Sequence, residues 1–344
     1  MPSRHIHLVG SYPAADTRQA MTIVADVAGP YLRALADGEV GARRNWITHI
    51  IDGLREHPDI ELRTDGNWSG YDNRPVFRVK RGHRLTSGSM RLGHAAAAGE
   101  GYEVFKEIRA SHRLDGVSFQ VGIPGDLDLA LFAFGPARAF TRRRTFREAL
   151  AREIREIAGW GGHDVLFQLE VPVELVMVAG VPKPLRTATA RSLVHGMVKQ
   201  VATAPPNARF GVHLCVGDLN NKALKRLPTV TPVVSILNAL LRAWPQGRPL
   251  EYVHVPLAAG DQPPPLEPGF YQDLESLAAL PPDTRFAAGL VHEAQEVDDQ
   301  RKILRMVESI LSRTVDVSPA CGLGRRSPQD ARRVLERAVA LAES

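Results

Sequence analysis

His213 and Cys215 stand two residues apart in the run FGVHLCV, and Cys321 lies far downstream in SPACGLGRR. Residues two apart on a strand point to the same side, so this imidazole and thiol can face one point. With the second thiol they form a His/Cys/Cys set, borderline-soft donors suited to tetrahedral zinc. Three protein ligands leave one coordination position for a substrate. A thiol bound there loses its proton at neutral pH, because the cation stabilises the thiolate. The thiolate can then attack an electrophilic carbon. The same metal physics could instead activate water for hydrolysis. The plainer alternative for two scattered cysteines is a pair of buried apolar side chains.

For these side chains to meet, the fold must bring the ends of remote segments together. Short apolar, β-branched runs recur at residues 5–10, 32–37, 116–121, 164–170, 209–214, 250–255, 285–291 and 313–317. Such runs suit a parallel sheet buried on both faces. Helical spacing of apolar residues marks 142–158, 296–311 and 327–342, the last opened by Ser327 as N-cap and Pro328 in the first turn. Alternating strands and helices predict an α/β fold. Eight repeats ending on a helix favour a (β/α)8 TIM barrel over a doubly wound sheet, and no GxGxxG follows the first strand. One domain over 1–344 is expected. Residues 60–100 (DGNWSGYDNRP, then FRVKRGHRL) read as an insertion between the second and third strands, with a short hairpin. The Pro-rich stretch 259–268 reads as a loop after the sixth strand.

In such a barrel the active site sits at the C-terminal ends of the strands. Those ends carry Ser11 and Tyr12, Asp37 and Glu39, Glu170, His213 and Cys215, His254, His292 and Glu293, and finally Cys321. Polar and metal-binding types therefore recur at nearly every strand end.

These residues also resemble a known family. GSYP at Gly10–Pro13 resembles the GSFP motif of the catalytic barrel of cobalamin-independent methionine synthases. DGE at Asp37–Glu39 resembles that family's HGE, and QLEVP at Gln168–Pro172 its QxDEP. HLC at His213–Cys215 resembles its zinc-binding HMC, and PACGLGRR at Pro319–Arg326 its PDCGLKTR. The motifs occur in the family's order, within a superfamily that includes uroporphyrinogen decarboxylases and corrinoid-linked methyltransferases. The resemblance implies zinc on His213, Cys215 and Cys321. It implies that the Ser11 backbone N–H holds an amino-acid carboxylate, and that Glu39 and Glu170 hold its ammonium group. It implies transfer of a methyl or alkyl group to a small thiol such as homocysteine.

The chain also departs from the family. A glutamate ligand is expected on the sixth strand, where LEYVHVPL offers His254 at the nearest position. Glu251, three residues earlier, lies on the opposite strand face, and His254 is taken as the fourth zinc ligand. His292 stands near the family's proton-relay histidine and is taken as catalytic. A length of 344 residues leaves room for one barrel, where the bacterial and plant enzymes have two. The folate-stacking tryptophan is missing after the third strand, where Phe132 and Phe134 occur instead. Trp46, Trp68 and Tyr71 could provide another aromatic surface. The donor is left open, with a folate or a corrinoid both in view. A decarboxylase or lyase is the alternative, with Arg43, Arg44, Arg325 or Arg326 binding substrate carboxylates. A non-catalytic binding role is the third reading.

Composition adds bounds. The chain is 44% hydrophobic and 24% charged, ordinary for a globular protein. No apolar run approaches the roughly 20 residues that a bilayer requires. MPSRHIHLVGSYP lacks a signal peptide's apolar core. With only 2 cysteines, a reducing cytoplasm is expected rather than a disulfide framework. The net charge of +5 is dispersed, and Arg142, Arg143, Arg144 and Arg147 are expected to form a solvated helix face. No dense basic stripe points to nucleic acid.

Overall fold

Seven of the apolar runs form one parallel sheet, because their residues are apolar on both faces and must be covered on both. The computed structural model describes residues 4–277 and 280–344. Its strands are β1 (Ala34–Ala36), β2 (Ile60–Thr64), β3 (Val76–Val79), β4 (Ser118–Pro124), β5 (Val165–Glu170), β6 (Arg209–His213), β7 (Leu250–Pro256), β8 (Arg285–Val291) and β9 (Asp316–Pro319). The large sheet runs β1-β4-β5-β6-β7-β8-β9, in chain order once the separate β2–β3 hairpin is set aside. It is curled. Ile6 pairs in parallel with Leu32 at one edge and with Val317 at the other. The N–H groups of Ile6 and His7 donate to Tyr31 and Val317 respectively. The first predicted run thus bridges both edges with so few ladder bonds that it has no extended strand of its own.

Helices cover the outside of the sheet. Helix Pro136–Gly161 is longer than expected at both ends. Helix Val297–Leu311 and helix Pro328–Ala342 match the prediction closely, and the Ser327 hydroxyl accepts from the Asp330 N–H as an N-cap. Between β1 and β4 lies the expected hairpin, with β2 and β3 antiparallel and a bulge near Leu62. Helix His94–Ser111 already begins inside the range predicted as insertion. Residues 259–268 form a loop with a single bridge, Ala259 to Gln262. Among the described residues no helix is long and apolar enough to cross a membrane.

The arginine cluster is only partly solvated. Arg144 is exposed and pairs with Glu148 one turn on, but Arg143 and Arg147 turn inward to the buried Asp126 carboxylate. A buried carboxylate needs such partners, and helical periodicity alone cannot reveal one contributed by the preceding helix.

Beside this ion pair, Asp128 and Glu174 are fully buried at the starts of helices Asp126–Phe134 and Pro172–Gly180. Asp128 Oδ1 accepts from the Val173 N–H, while Asp128 Oδ2 and both Glu174 oxygens meet no donor. A proton shared between the two carboxyls would supply that donor. Burial pushes Glu174 up from 4.5 to about 7, and pushes Asp128 up with Glu174's charge adding to the effect. A carboxyl whose folded pKa is raised favours folding below its unfolded pKa. That contribution is lost as pH rises through the folded value. Stability should therefore decline between about pH 4.5 and pH 7, by on the order of 3 kcal/mol for one such group. Denaturant unfolding of Glu174→Gln across this range should give a flatter profile, and an unchanged slope would refute the shared proton.

Candidate metal and substrate site

β6 ends on His213, and the Cys215 sulfur just beyond it lies within 4.8 Å of a His213 ring nitrogen. Cys321 follows β9 by two residues, at the same C-terminal edge of the curled sheet. Curling brings the strand ends together. The Cys215 and Cys321 sulfurs are 3.4 Å apart, and Cys321 Sγ is 3.9 Å from His213 Nε2. One donor atom from each residue lies within 4.8 Å of the others. Ligands about 2.1–2.3 Å from zinc in a tetrahedron have edges of roughly 3.5–3.8 Å. The sulfur–sulfur and Cys321–His213 separations lie near those edges and the third is at most 4.8 Å, so the donor set is compatible with a zinc ion in chemistry and approximately in spacing.

The electrostatics favour deprotonated sulfur. The Arg325 guanidinium donates to Cys321 Sγ over 3.3 Å, and the Gly217 N–H donates to Cys215 Sγ over 3.3 Å. Cys321 is held well below its ordinary range, first by the hydrogen bond from Cys215 and then by Arg325, and Cys215 is pushed up in return. Burial lowers His213 to about 4, so the ring is neutral, as a ligand must be.

His254 lies outside this set of three. Its register partner across the β6–β7 pair is His213. Its Nδ1 faces His213 Nδ1 at 2.6 Å, and its Nε2 lies 3.0 Å from the Pro319 carbonyl. Both ring nitrogens are therefore engaged away from the sulfurs. Glu251 sits at the far end of β7 and pairs with Arg209. His292 is likewise held apart. Its Nδ1 accepts from the Ala294 N–H, and its Nε2 lies 3.1 Å from the Gly260 carbonyl. It pins one loop to another and does not line the cavity beside the sulfurs.

That cavity encloses about 790 Å³, counted to its open mouth, and is lined by Ser11, Glu39, Glu170, His213, Cys215 and Cys321 among others. The Ser11 hydroxyl accepts from the Gly324 N–H, tying the first motif to the last. Glu39 and Glu170 approach each other across Gly122. A Cβ there would lie 2.7 Å from Glu170 Oε1 and 3.0 Å from Glu39 Oε1, so a side chain would displace the Glu170 carboxyl and crowd that of Glu39. Burial raises Glu170 to about 7. Burial raises Glu39 as well, with Glu170 and Asp37 adding to it. Glu39 also adopts a left-handed backbone, φ +41°, a strained conformation for a residue with a side chain. Two such carboxyls facing one cavity can accept an ammonium group.

The remaining wall is aromatic. Phe132 is surrounded by Trp46, Trp68 and Tyr71, with ring centroids at 6.2, 6.1 and 6.5 Å. The hairpin region thus contributes Trp68 and Tyr71 to the cavity. Trp46 was not assigned a role from sequence beyond an aromatic surface. Its indole N–H donates to Glu170 Oε2 over 2.5 Å. Behind it, a second cavity of about 580 Å³ is lined by Asp37, Arg43, His49 and His94. Gln168 was visible in QLEVP but went unassigned. It donates to Glu170 Oε1 over 2.8 Å and accepts from the Tyr252 hydroxyl over 2.9 Å. Its alternation with Glu170 was the available signal.

No protein-family model and no curated protein matches the chain. Solved structures do. A B12-independent methionine synthase from Shewanella sp. W3-18-1, in complex with selenomethionine, aligns over 100% of this chain and 97% of its own, with TM-score 0.60 and 14% identity. A methyltransferase from Methanosarcina mazei aligns over 100% of this chain and 94% of its own, with TM-score 0.53 and 13% identity. At such identities the likeness establishes a shared fold.

Proposed function

We propose that this chain is a single-domain, zinc-dependent (β/α)8-barrel transferase that moves a methyl or alkyl group onto a small amino thiol such as homocysteine. The barrel reading rests on Ile6 bridging both sheet edges. The observation that carries the functional reading is the convergence of His213, Cys215 and Cys321 within 4.8 Å, opening on a cavity that also holds Glu39 and Glu170. The methionine synthase-like fold of its structural neighbours agrees with it.

Zinc bound there would supply Lewis acidity that makes a substrate thiol a thiolate at neutral pH. Glu39 and Glu170 would take the substrate's ammonium group, and their raised pKa values would fall once that charge is in place. The Ser11 segment would receive the carboxylate. Gln168 and Trp46 hold Glu170 in position by donating to it. The aromatic wall would exclude water from the attacking sulfur. The hairpin is read as an insertion that completes this wall. The donor's class is left to experiment.

The decarboxylase alternative needs free arginines, and three of its four candidates are already paired. Arg43 binds Asp37, Arg325 binds Asp218, and Arg326 binds Glu293.

Metal content of the native protein is the first test, with one equivalent of zinc expected. Homocysteine calorimetry follows. Removing one charge from the ammonium site should cost about 1.5–3 kcal/mol, roughly a tenfold to hundredfold loss of affinity. Glu39→Gln should show this loss while retaining its zinc. Equal affinity in wild type and variant would refute the ammonium role.

A further inference from the structure

His254 is completely buried in the layer beneath the proposed metal site, between the rings of His213 and His7 at 4.6 and 5.3 Å. Its two hydrogen bonds determine where protons lie. A carbonyl oxygen can only accept, so His254 Nε2, 3.0 Å from Pro319 O, carries the hydrogen. A neutral imidazole has one N–H. His254 Nδ1 is therefore a lone pair, and the 2.6 Å contact is a hydrogen bond only if His213 Nδ1 donates it. His213 is then left with its lone pair on Nε2, the nitrogen that faces Cys321 Sγ.

We propose that His254 is a positioning residue that locks His213 in the Nδ1–H tautomer and aims its Nε2 lone pair at the metal position. The inference rests on the metal-site reading above and adds two consequences. With His254 in this role the protein would hold the metal through His213, Cys215 and Cys321, leaving a further position for a substrate thiol. The relay also connects both halves of the site. Pro319, which fixes His254, is two residues from Cys321, and His254 in turn fixes His213. β6, β7 and β9 are thereby bound into one unit below the ion. An outer partner of this kind normally fixes a ligand's tautomer and orientation, and its loss typically costs 10- to 100-fold in metal affinity.

The test compares His254→Leu with His254→Gln. A glutamine can accept from His213 through its oxygen and donate to Pro319 through its nitrogen, whereas leucine can do neither. Zinc affinity by chelator competition should fall about 10- to 100-fold in the leucine variant and recover substantially in the glutamine variant. Cobalt-substituted wild type and His254→Gln should share the same ligand-field bands, because no ligand has been removed. Nitrogen NMR of the metal-free protein reads the tautomer directly. His213 should be protonated at Nδ1 in wild type, and this preference should be lost in His254→Leu. Altered cobalt bands in His254→Gln would make His254 a ligand and overturn the proposal. Wild-type zinc affinity in the leucine variant, or a His213 protonated at Nε2, would also overturn it. The nitrogen measurement needs no metal. A protein that shows the Nδ1–H tautomer but binds no zinc would therefore refute the metal reading while retaining the His254–His213 pairing.

Discussion

The Cys215→Ser, Cys321→Ser double variant should retain no stoichiometric zinc and should lose thiol alkylation by roughly a thousandfold or more. Serine matches cysteine closely in shape, so the fold should survive. Its hydroxyl does not ionise near neutral pH, and a neutral oxygen is a poor substitute for a thiolate ligand. The two sulfurs are 3.4 Å apart, so both ligands are lost from one corner of the site. Each single variant should approach the double, because groups acting as a unit are strongly non-additive. Metal analysis of the purified proteins under reductant gives the answer. The same trace metal in wild type and double variant would remove the basis of the transferase reading.

Arg325→Leu should be the most destabilising single substitution near the site. The guanidinium is buried against Asp218 and also donates to Cys321 Sγ and the Arg44 carbonyl. Asp218 Oδ1 already lacks a partner, so removing the arginine strips the buried carboxylate of its ion-pair partner and leaves only Arg326, itself paired with Glu293, acting on it. Breaking one side of a buried ion pair costs about 3–5 kcal/mol. Equilibrium denaturation should show a loss of that size. Adding Asp218→Asn should restore part of it, because the stranded charge is then gone. Zinc affinity should fall too, since Cys321 loses the positive charge that favours its thiolate. An Arg325→Leu protein as stable as wild type would show that the pair contributes nothing, and equal stability of the single and double variants would break the coupling.

Much of the architecture was legible because burial on both faces demands uninterrupted apolar runs. β5, β6, β7 and β8 fall within a residue or two of their predicted positions for that reason. The first run was less legible. Its pairing is limited to Ile6 at both sheet edges, and sequence does not report how many ladder bonds a run will make. Arg143 and Arg147 were misread for a related reason. Their partner, Asp126, belongs to another helix, and a helical pattern reveals only neighbours along its own face.

By itself, the sequence determined the donor chemistry. Alternation places His213 and Cys215 on one side, and the strand-end motifs bring Ser11, Glu39, Glu170 and Cys321 to the same edge. The tertiary structure alone decided what each remaining histidine does. His254 and His292 differ little as residues near strand ends, yet one contacts the His213 ring and the other the Gly260 carbonyl. Those roles depend on the β6–β7 register and on where the carbonyls of Pro319 and Gly260 point. Such directions arise only when strands remote in sequence are packed side by side, because a hydrogen bond is set by relative orientation and not by residue type.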